Sequence, residues 1–520
     1  MNSQENFDLI VIGAGATGSC IALEASKRGL NVALFDAGDI GSGTSCRSTK
    51  LLHGGVRYLE IAFKKFDLSQ LKLVREALIE RGHWINEAPF LAHELELAIP
   101  SENCFDKAYY GSGLKVYDTL SGDKGISKSR FISKSEINEN FPFLKKCAGG
   151  VAYSDGQFDD ARLNLLIALT AEKAGTLLAN YKKVIDFEYA KDGKLSGIIT
   201  QDQKGQNQRW RSKVIVNATG IHVDTLRLQV DSSAEERIII SKGVHIVLEE
   251  NLCPKGKGLL LPATDDGRVL FVLPFFNHTL IGTTDTPCAI REACKTTFNE
   301  EQYLINHLKN LFPKFENPKV TSSWSGGRPL LKPRGAKNSS QIVREHEIEV
   351  LPCGLISAMG GKWTTCRKIA LDTLEKVESV IGETLPKPKS INIIGSHPNP
   401  SKTKAMLESQ SNELREILPK TNLINKQINH LQSKYGINAL AIMQGNSEEN
   451  RKPISSDIPL CRAEIDQDIN HEHAKTATDI LSRRNRLATV NIEEAERILP
   501  IVNEHLSKNN LAFSELNLEK

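Results

Sequence analysis

The stretch FDLIVIGAGATGSCIALEASKRGLNVALFD, residues 7–36, decides the fold. Its opening FDLIVI is a short apolar run suited to a buried parallel strand. Gly13, Gly15 and Gly18 follow in GxGxxG spacing, and SCIALEASKRG has helical character with Gly29 as its natural stop. LNVALFD then reads as a second strand ending in Asp36, 23 residues after Gly13. The order is a βαβ unit. Its glycines permit a tight turn and close backbone approach, so a pyrophosphate can rest on the helix N-terminus while the acid hydrogen-bonds a ribose. A glycine spacing alone would be weak evidence; strand, helix, second strand and terminal acid together point to a dinucleotide.

The flanking sequence separates NAD from FAD. Residues 37–55, AGDIGSGTSCRSTKLLHGG, form a loop of polar and small residues where an NAD domain would run on into regular repeats. VIVNATG (214–220) is a later apolar segment ending in small residues, and LISAMGGKWTTCRKIALDTLEKV (355–377) is strand, glycine pair and helix. Three separated segments able to converge on one elongated cofactor suit FAD. The candidate cofactor contacts are Gly13, Gly15, Gly18, Asp36, Thr44, Ser45, Ser48, Leu52, Gly54, Ala218, Gly220, Gly360, Gly361, Lys362 and Thr364.

At 520 residues the chain calls for two or three domains. Lys plus Arg number 66 against 63 Asp plus Glu, and a net charge of +3 argues against a nucleic-acid partner. The ten cysteines show no CxxC pair, which fits reduced thiols in a cytosolic compartment. No basic leader precedes the first strand, and no run approaches the roughly 18 apolar residues of a membrane-spanning helix. Residues 67–88 and 104–120 are helical in pattern, and 236–290 are strand-like. A Pro- and Lys-rich connector follows Pro386, and the remainder is polar and helical. The expected architecture is α/β. A Rossmann-like FAD-binding domain of the glutathione-reductase/D-amino-acid-oxidase type takes residues 1–70, 150–225 and 335–388. A β-rich substrate cap is inserted as 71–149 and 226–334, and a C-terminal helical domain takes 389–520.

Several motifs coincide with a known family. STKLLHGGVRYLE (48–60), FDDARL (158–163), VNATG (216–220), KGVHIV (242–247), IGTTD (281–285), SGGRPL (325–330), GGKWTTCRKIA (360–370) and CRAEIDQDINHEHAKTATDILSRRNRL (461–487) together resemble the FAD-dependent glycerol-3-phosphate dehydrogenases. The resemblance spans nearly the whole chain. It implies oxidation of sn-glycerol 3-phosphate to dihydroxyacetone phosphate, with noncovalent FAD passing electrons to a membrane quinone. It further implies peripheral attachment at the cytoplasmic, inner face of a bacterial cell membrane, and allows a homodimer. The chain departs from the family pattern at Cys366, usually Tyr, at Gly327, and at Ile221-His222 after ATG.

Flavin oxidation of a secondary alcohol needs a base near the hydroxyl and cations for the phosphate. Arginine suits phosphate because its planar fork donates two parallel charge-assisted hydrogen bonds. By resemblance, Arg57 with Tyr58, Arg328 and Arg344 line the substrate pocket, and Lys362 serves flavin or substrate. Two histidines compete for the base, His245 on a cap strand and His53 beside the flavin loop; a neutral imidazole suits proton removal near neutral pH. Oxygen as acceptor, giving an oxidase, and an amine or amino-acid oxidase on the same fold are the alternative activities. No metal is expected: His471 and His473 lack further ligands and read as a solvated helix face. The SRRNR cluster (482–486) reads as polar helix surface, with contact to anionic lipid as its alternative.

Overall fold

A computed structural model describes residues 6–55, 68–122, 125–261, 264, 268–315, 317–332 and 346–519. Two sheets organise them. The first contains β1 (Asn6–Ile12), β2 (Val32–Phe35), β7 (Leu177–Ala179), β8 (Lys182–Tyr189), β9 (Leu195–Asp202), β10 (Asn207–Asn217), β17 (His346–Val350) and β18 (Ile356–Gly360). The second contains β3 (Leu51–Leu52), β4 (Ala92–Pro100), β5 (Arg130–Ile132), β6 (Gly150–Phe158), β11 (Ile238–Leu248), β12 (Lys257–Leu261), β13 (Leu270–Phe275), β14 (His278–Gly282), β15 (Thr286–Pro287) and β16 (Val320–Leu331).

The first sheet has the order β17-β18-β10-β1-β2-β7, with β1 parallel to both β2 and β10. A parallel strand between two neighbours is covered on both faces, which is why Leu9, Ile10 and Val11 are all apolar and fully buried. Helix α1 (Ala16–Ser26) returns the chain from β1 to β2. Gly18 allows its close seat: a Cβ there would lie 1.8 Å from the Gly13 carbonyl oxygen. Helices α2 (Leu68–Glu87), α3 (Cys104–Ser121), α4 (Asp160–Lys173) and α5 (Cys366–Ile381) complete the layers used below. Asp159 caps α4 by accepting from the Arg162 N–H, and Gly382 ends α5 in the left-handed conformation at φ 78°.

The second sheet runs β15-β11-β14-β13-β12-β4-β6-β3, with β16 also pairing β11 and β5 pairing β6. Along β11 and β16 the register sets His245 opposite Trp324, Gly243 opposite Gly326 and Ser241 opposite Arg328. Leu51 and Leu52 of β3 pair with Gln157 and Gly156 of β6. The polar loop after β2, residues 36–50, therefore leads from the first sheet into the second.

Residues from 403 onward are largely helical. Leu414, Ile428, Leu431, Tyr435 and Met443 pack among themselves, whereas Ile480, Leu481, Ile498 and Val502 share a core with Leu97, Val247 and Leu273 of the second sheet. The SRRNR expectation is overturned here. Arg483, Arg484 and Arg486 are at most 5% exposed and face Asp39 and Asp160, not water or lipid. The charge cluster is an internal clasp, because the two buried carboxylates Asp39 and Asp160 need partners. Among the described residues no helix is long and apolar enough to cross a membrane.

Candidate active site

The glycine turn after β1 is built without side chains. Gly13 sits at φ 102°, and a Cβ there would lie 2.6 Å from the Ala218 carbonyl oxygen, so this turn and the end of β10 are in contact. Gly15 is the N-cap of α1 and offers its amides no side-chain acceptor. Instead the Ala14 N–H donates to Asp36 Oδ2 at 2.7 Å and the Ala16 N–H to Ser45 Oγ at 2.9 Å. Asp36 also accepts from the Gly38 N–H at 2.8 Å. A helix N-terminus that its own N-cap glycine leaves uncapped, beside an acid that ends the next strand, fits the pyrophosphate and ribose of FAD.

Segment 44–54 joins the remaining pieces. Thr44 Oγ1 donates to the Gly327 carbonyl at 2.5 Å. Ser45 accepts Trp363 Nε1–H on its carbonyl at 3.2 Å, which brings in the turn after β18. Thr49 Oγ1 lies 3.0 Å from His245 Nε2, and the His53 N–H donates to Thr364 Oγ1 at 3.2 Å. Gly360 and Gly361, both at positive φ, turn the chain into Lys362 and α5; a Cβ on Gly361 would strike Ile369 Cδ1 at 2.3 Å. Gly220, at φ 59°, opens the helical turn after β10. Two expected cofactor segments, the glycine turn and the turn after β18, thus meet this loop, and the end of β10 meets the glycine turn.

Other expected contacts look inward. Ser48 donates from N and Oγ to Asp160 Oδ2, at 2.9 and 2.7 Å. Leu52 is fully buried. The Gly54 N–H donates to Tyr117 Oη at 2.8 Å, and a Cβ at 54 would lie 2.7 Å from the same oxygen. These contacts tie the loop to Asp160 and Tyr117. Arg57, Tyr58 and Arg344 lie outside the described residues.

His245 is 1% exposed. Its ring stacks on Trp324, centroids 4.3 Å apart at 21°, and its edge rests against Gly282, where a Cβ would lie 2.2 Å from Cδ2. Its Nδ1 is buried without a hydrogen-bond partner. Burial pushes the imidazole well below its ordinary value, and the cations Arg328 and Lys50 push the same way. The ring is neutral at pH 7. Arg328 lies across Gly243, whose Cβ would collide with Nη2, and donates to Thr283 Oγ1 at 2.8 Å and the Thr284 carbonyl at 3.1 Å. Its side chain is 25% exposed, so it can still receive a ligand.

Under the loop sits a carboxylate with two cations. Asp160 accepts from Lys50 Nζ at 2.8 Å and from Arg486 Nη2 at 2.7 Å, and all three side chains are at most 1% exposed. Burial works to raise the Asp160 carboxyl, but Lys50 and Arg486 outweigh it and hold it below its ordinary range. Lys50 is lowered to about 8, first by burial and then by Arg486, against the pull of Asp160. Its ammonium also lies 4.4 Å from the Trp324 ring centroid, the ring on which His245 stacks.

With this geometry in view, comparison with known proteins is specific. Residues 8–366 match the FAD dependent oxidoreductase family model, and 387–514 match the C-terminal domain of alpha-glycerophosphate oxidase. The chain is 38% identical over 531 residues to a probable mitochondrial glycerol-3-phosphate dehydrogenase of Dictyostelium discoideum, covering 96% of this chain and 81% of the relative. The chain belongs to the FAD-dependent glycerol-3-phosphate dehydrogenases. It is also 35% identical to the mitochondrial glycerol-3-phosphate dehydrogenase of Rattus norvegicus, covering 100% of this chain and 72% of the rat protein. The structure of the Bacillus halodurans glycerol-3-phosphate dehydrogenase complexed with FAD superposes with a TM-score of 0.77 at 27% identity, covering 97% of this chain and 92% of that one. FAD is the cofactor of the family, and the fold class is the one expected for it.

Sequence reasoning passed over Thr49, Lys50, Asp160, Thr283 and Trp324. Thr49 and Lys50 stand inside STKLLHGG, Asp160 inside FDDARL and Thr283 inside IGTTD, so the motifs held them without stating their parts. Trp324 immediately precedes SGGRPL, and nothing in its local sequence links it to His245.

Proposed function

We propose that the chain oxidises sn-glycerol 3-phosphate to dihydroxyacetone phosphate, and that its electrons pass through FAD to a membrane quinone. The observation that carries this reading is the convergence on loop 44–54 of a neutral buried histidine, the β16 backbone beside the partly open Arg328 and the turns of two nucleotide-binding segments, after β1 and after β18. When bound, FAD supplies a hydride acceptor for the substrate's secondary carbon. The protein's part is to place the substrate and take its hydroxyl proton. His245 is buried, and its Nε2 lies on the half-buried Thr49, so the proton passes from substrate oxygen to Thr49 Oγ1 while the Thr49 proton moves to Nε2. Of the two candidate histidines, this favours His245 as base and leaves His53 as a loop residue that orients the turn at Thr364.

Arg328 supports the phosphate-bearing end of the substrate, with Lys362 at the start of the α5 turn. Arg57, Tyr58 and Arg344 are proposed for the same clamp from their motif positions alone. We place the enzyme at the inner face of a bacterial cell membrane, attached from the cytoplasmic side. The test is anaerobic mixing of the FAD-loaded protein with glycerol 3-phosphate, glycerol or an amino acid. Bleaching of the flavin by glycerol 3-phosphate alone is expected; bleaching by an amino acid alone would overturn the reading. Reoxidation by a soluble quinone without peroxide release is expected, and stoichiometric peroxide in air would replace the quinone with oxygen.

A further inference from the structure

Two cysteines 346 residues apart face each other behind the cofactor turns. Cys20 Sγ on α1 and Cys366 Sγ on α5 are 3.3 Å apart, in sulfur–sulfur contact, and both residues are at most 2% exposed. Cys20 stands two residues after Gly18 of the glycine turn, and Cys366 two residues after Thr364. No other pair of cysteines among the described residues shows such a contact. Cys46 instead points at the carbonyls of Ser42 and Gly43, and Cys253 at that of Val272.

Two buried thiols can simply fill space as small hydrophobes. What distinguishes this pair is access. A cavity beside α1 is lined by Cys20 together with Glu24, Lys27, His83, Trp84 and Arg367, and Cys366, which does not line it, touches the Cys20 sulfur. A disulfide needs the sulfurs at about 2.05 Å, so the two sulfur atoms must approach by roughly 1.2 Å.

We propose that Cys20 and Cys366 are a dithiol that peroxide converts to a disulfide, covalently joining α1 to α5 directly behind the two turns that hold FAD. The Cys20 thiolate attacks one peroxide oxygen and the O–O bond breaks. Cys20 becomes a sulfenic acid and hydroxide leaves to be protonated to water. The Cys366 sulfur then attacks the Cys20 sulfur, the S–O bond breaks, and the hydroxyl leaves with the Cys366 proton as a second water. Two thiols are oxidised by two electrons and one peroxide is reduced. Burial raises the Cys366 thiol well above its ordinary range, which disfavours it as the sulfur that starts the reaction. The order is set by which sulfur lines the cavity.

The test uses the full-length FAD-loaded protein, titrated with hydrogen peroxide, quenched in acid, alkylated under denaturing conditions and digested without reductant. The expected product is one peptide pair linking Cys20 to Cys366, lighter by two hydrogens than its reduced parts and lost on treatment with a thiol reductant. Recovery of both peptides separately alkylated, at peroxide concentrations that oxidise the exposed Cys104, would overturn the proposal. In Cys366→Ala, with Cys366→Ser as a second variant should the first fold poorly, Cys20 is expected to be trapped by dimedone as a sulfenic acid. Trapping of Cys366 in Cys20→Ala, with none at Cys20 in the Cys366 variants, would overturn the assigned order.

Discussion

His245 shows how a residue acquires a task from its surroundings. In the sequence it is one histidine among 13. In the fold it is stacked on Trp324, met by Thr49 and held neutral by burial and two nearby cations. His245→Asn is expected to lower kcat by about 10²- to 10⁴-fold with FAD retained, read by steady-state kinetics and flavin absorbance. Thr49→Val should lower kcat in the same direction and Thr49→Ser should restore it; equal activity of the Val and Ser variants would remove Thr49 from the proton route. A histidine whose folded value is depressed is protonated later on acidification than the unfolded chain, so it contributes stability above 6.5 that is lost as pH falls. Accordingly, the acid limb of kcat/KM for the wild type is expected well below 6.5, and a limb at or above that value would exclude His245 as base. Gly243 makes a second prediction at this scale. A methyl group there meets Arg328 Nη2, so Gly243→Ala should displace the guanidinium and raise KM by roughly tenfold to a hundredfold while flavin content is kept.

At the scale of elements, loop 44–54 matters because it is tied to everything it touches. Its floor is the Lys50–Asp160–Arg486 cluster, three charges that are stable in the interior only together. Asp160→Asn leaves two buried cations facing one neutral amide and should cost about 3–5 kcal/mol in denaturant unfolding. The titration of Lys50 can be followed directly. Its folded value of about 8 lies below the ordinary 10.5, so between these the unfolded chain holds more protons, and Lys50's contribution to stability grows as pH rises through that window. Over the lower part of the same window its ion pair with Asp160 is lost. A change in bound-flavin spectrum with a midpoint near pH 8 is expected, moved to higher pH in Lys50→Arg. The glycine turn, both flanking strands and Asp36 were legible from sequence because strand period, glycine spacing and helix length are local properties. The floor under the loop was not, since Lys50, Asp160 and Arg486 are 110 and 326 residues apart and no local pattern pairs them.

Across the whole molecule, the C-terminal segment braces the site. Arg483 and Arg484 neutralise Asp39, and Thr321 and Ser322 of β16 donate to the Val490 and Ala488 carbonyls at 2.7 and 2.8 Å. The strand that carries Trp324 and Arg328 is therefore fixed from behind by residues far along the chain. Removal of 458–520 would expose a shared apolar core and leave Asp39 and Asp160 without their arginines. Such a truncated chain is expected not to accumulate as soluble FAD-bound protein, measured by flavin content of the soluble fraction; a yellow, folded product would show that the clasp is dispensable.

The sequence by itself determined the nucleotide-binding unit, the cofactor class and the family, because each rests on short segments whose spacing is written along the chain. Only the tertiary structure decided that SRRNR is an internal clasp, that Thr49 meets His245, and that Cys20 meets Cys366. The physical reason is common to all three. A buried charge, an imidazole or a thiol takes its properties from the groups packed against it, and here those groups arrive from strands and helices hundreds of residues away.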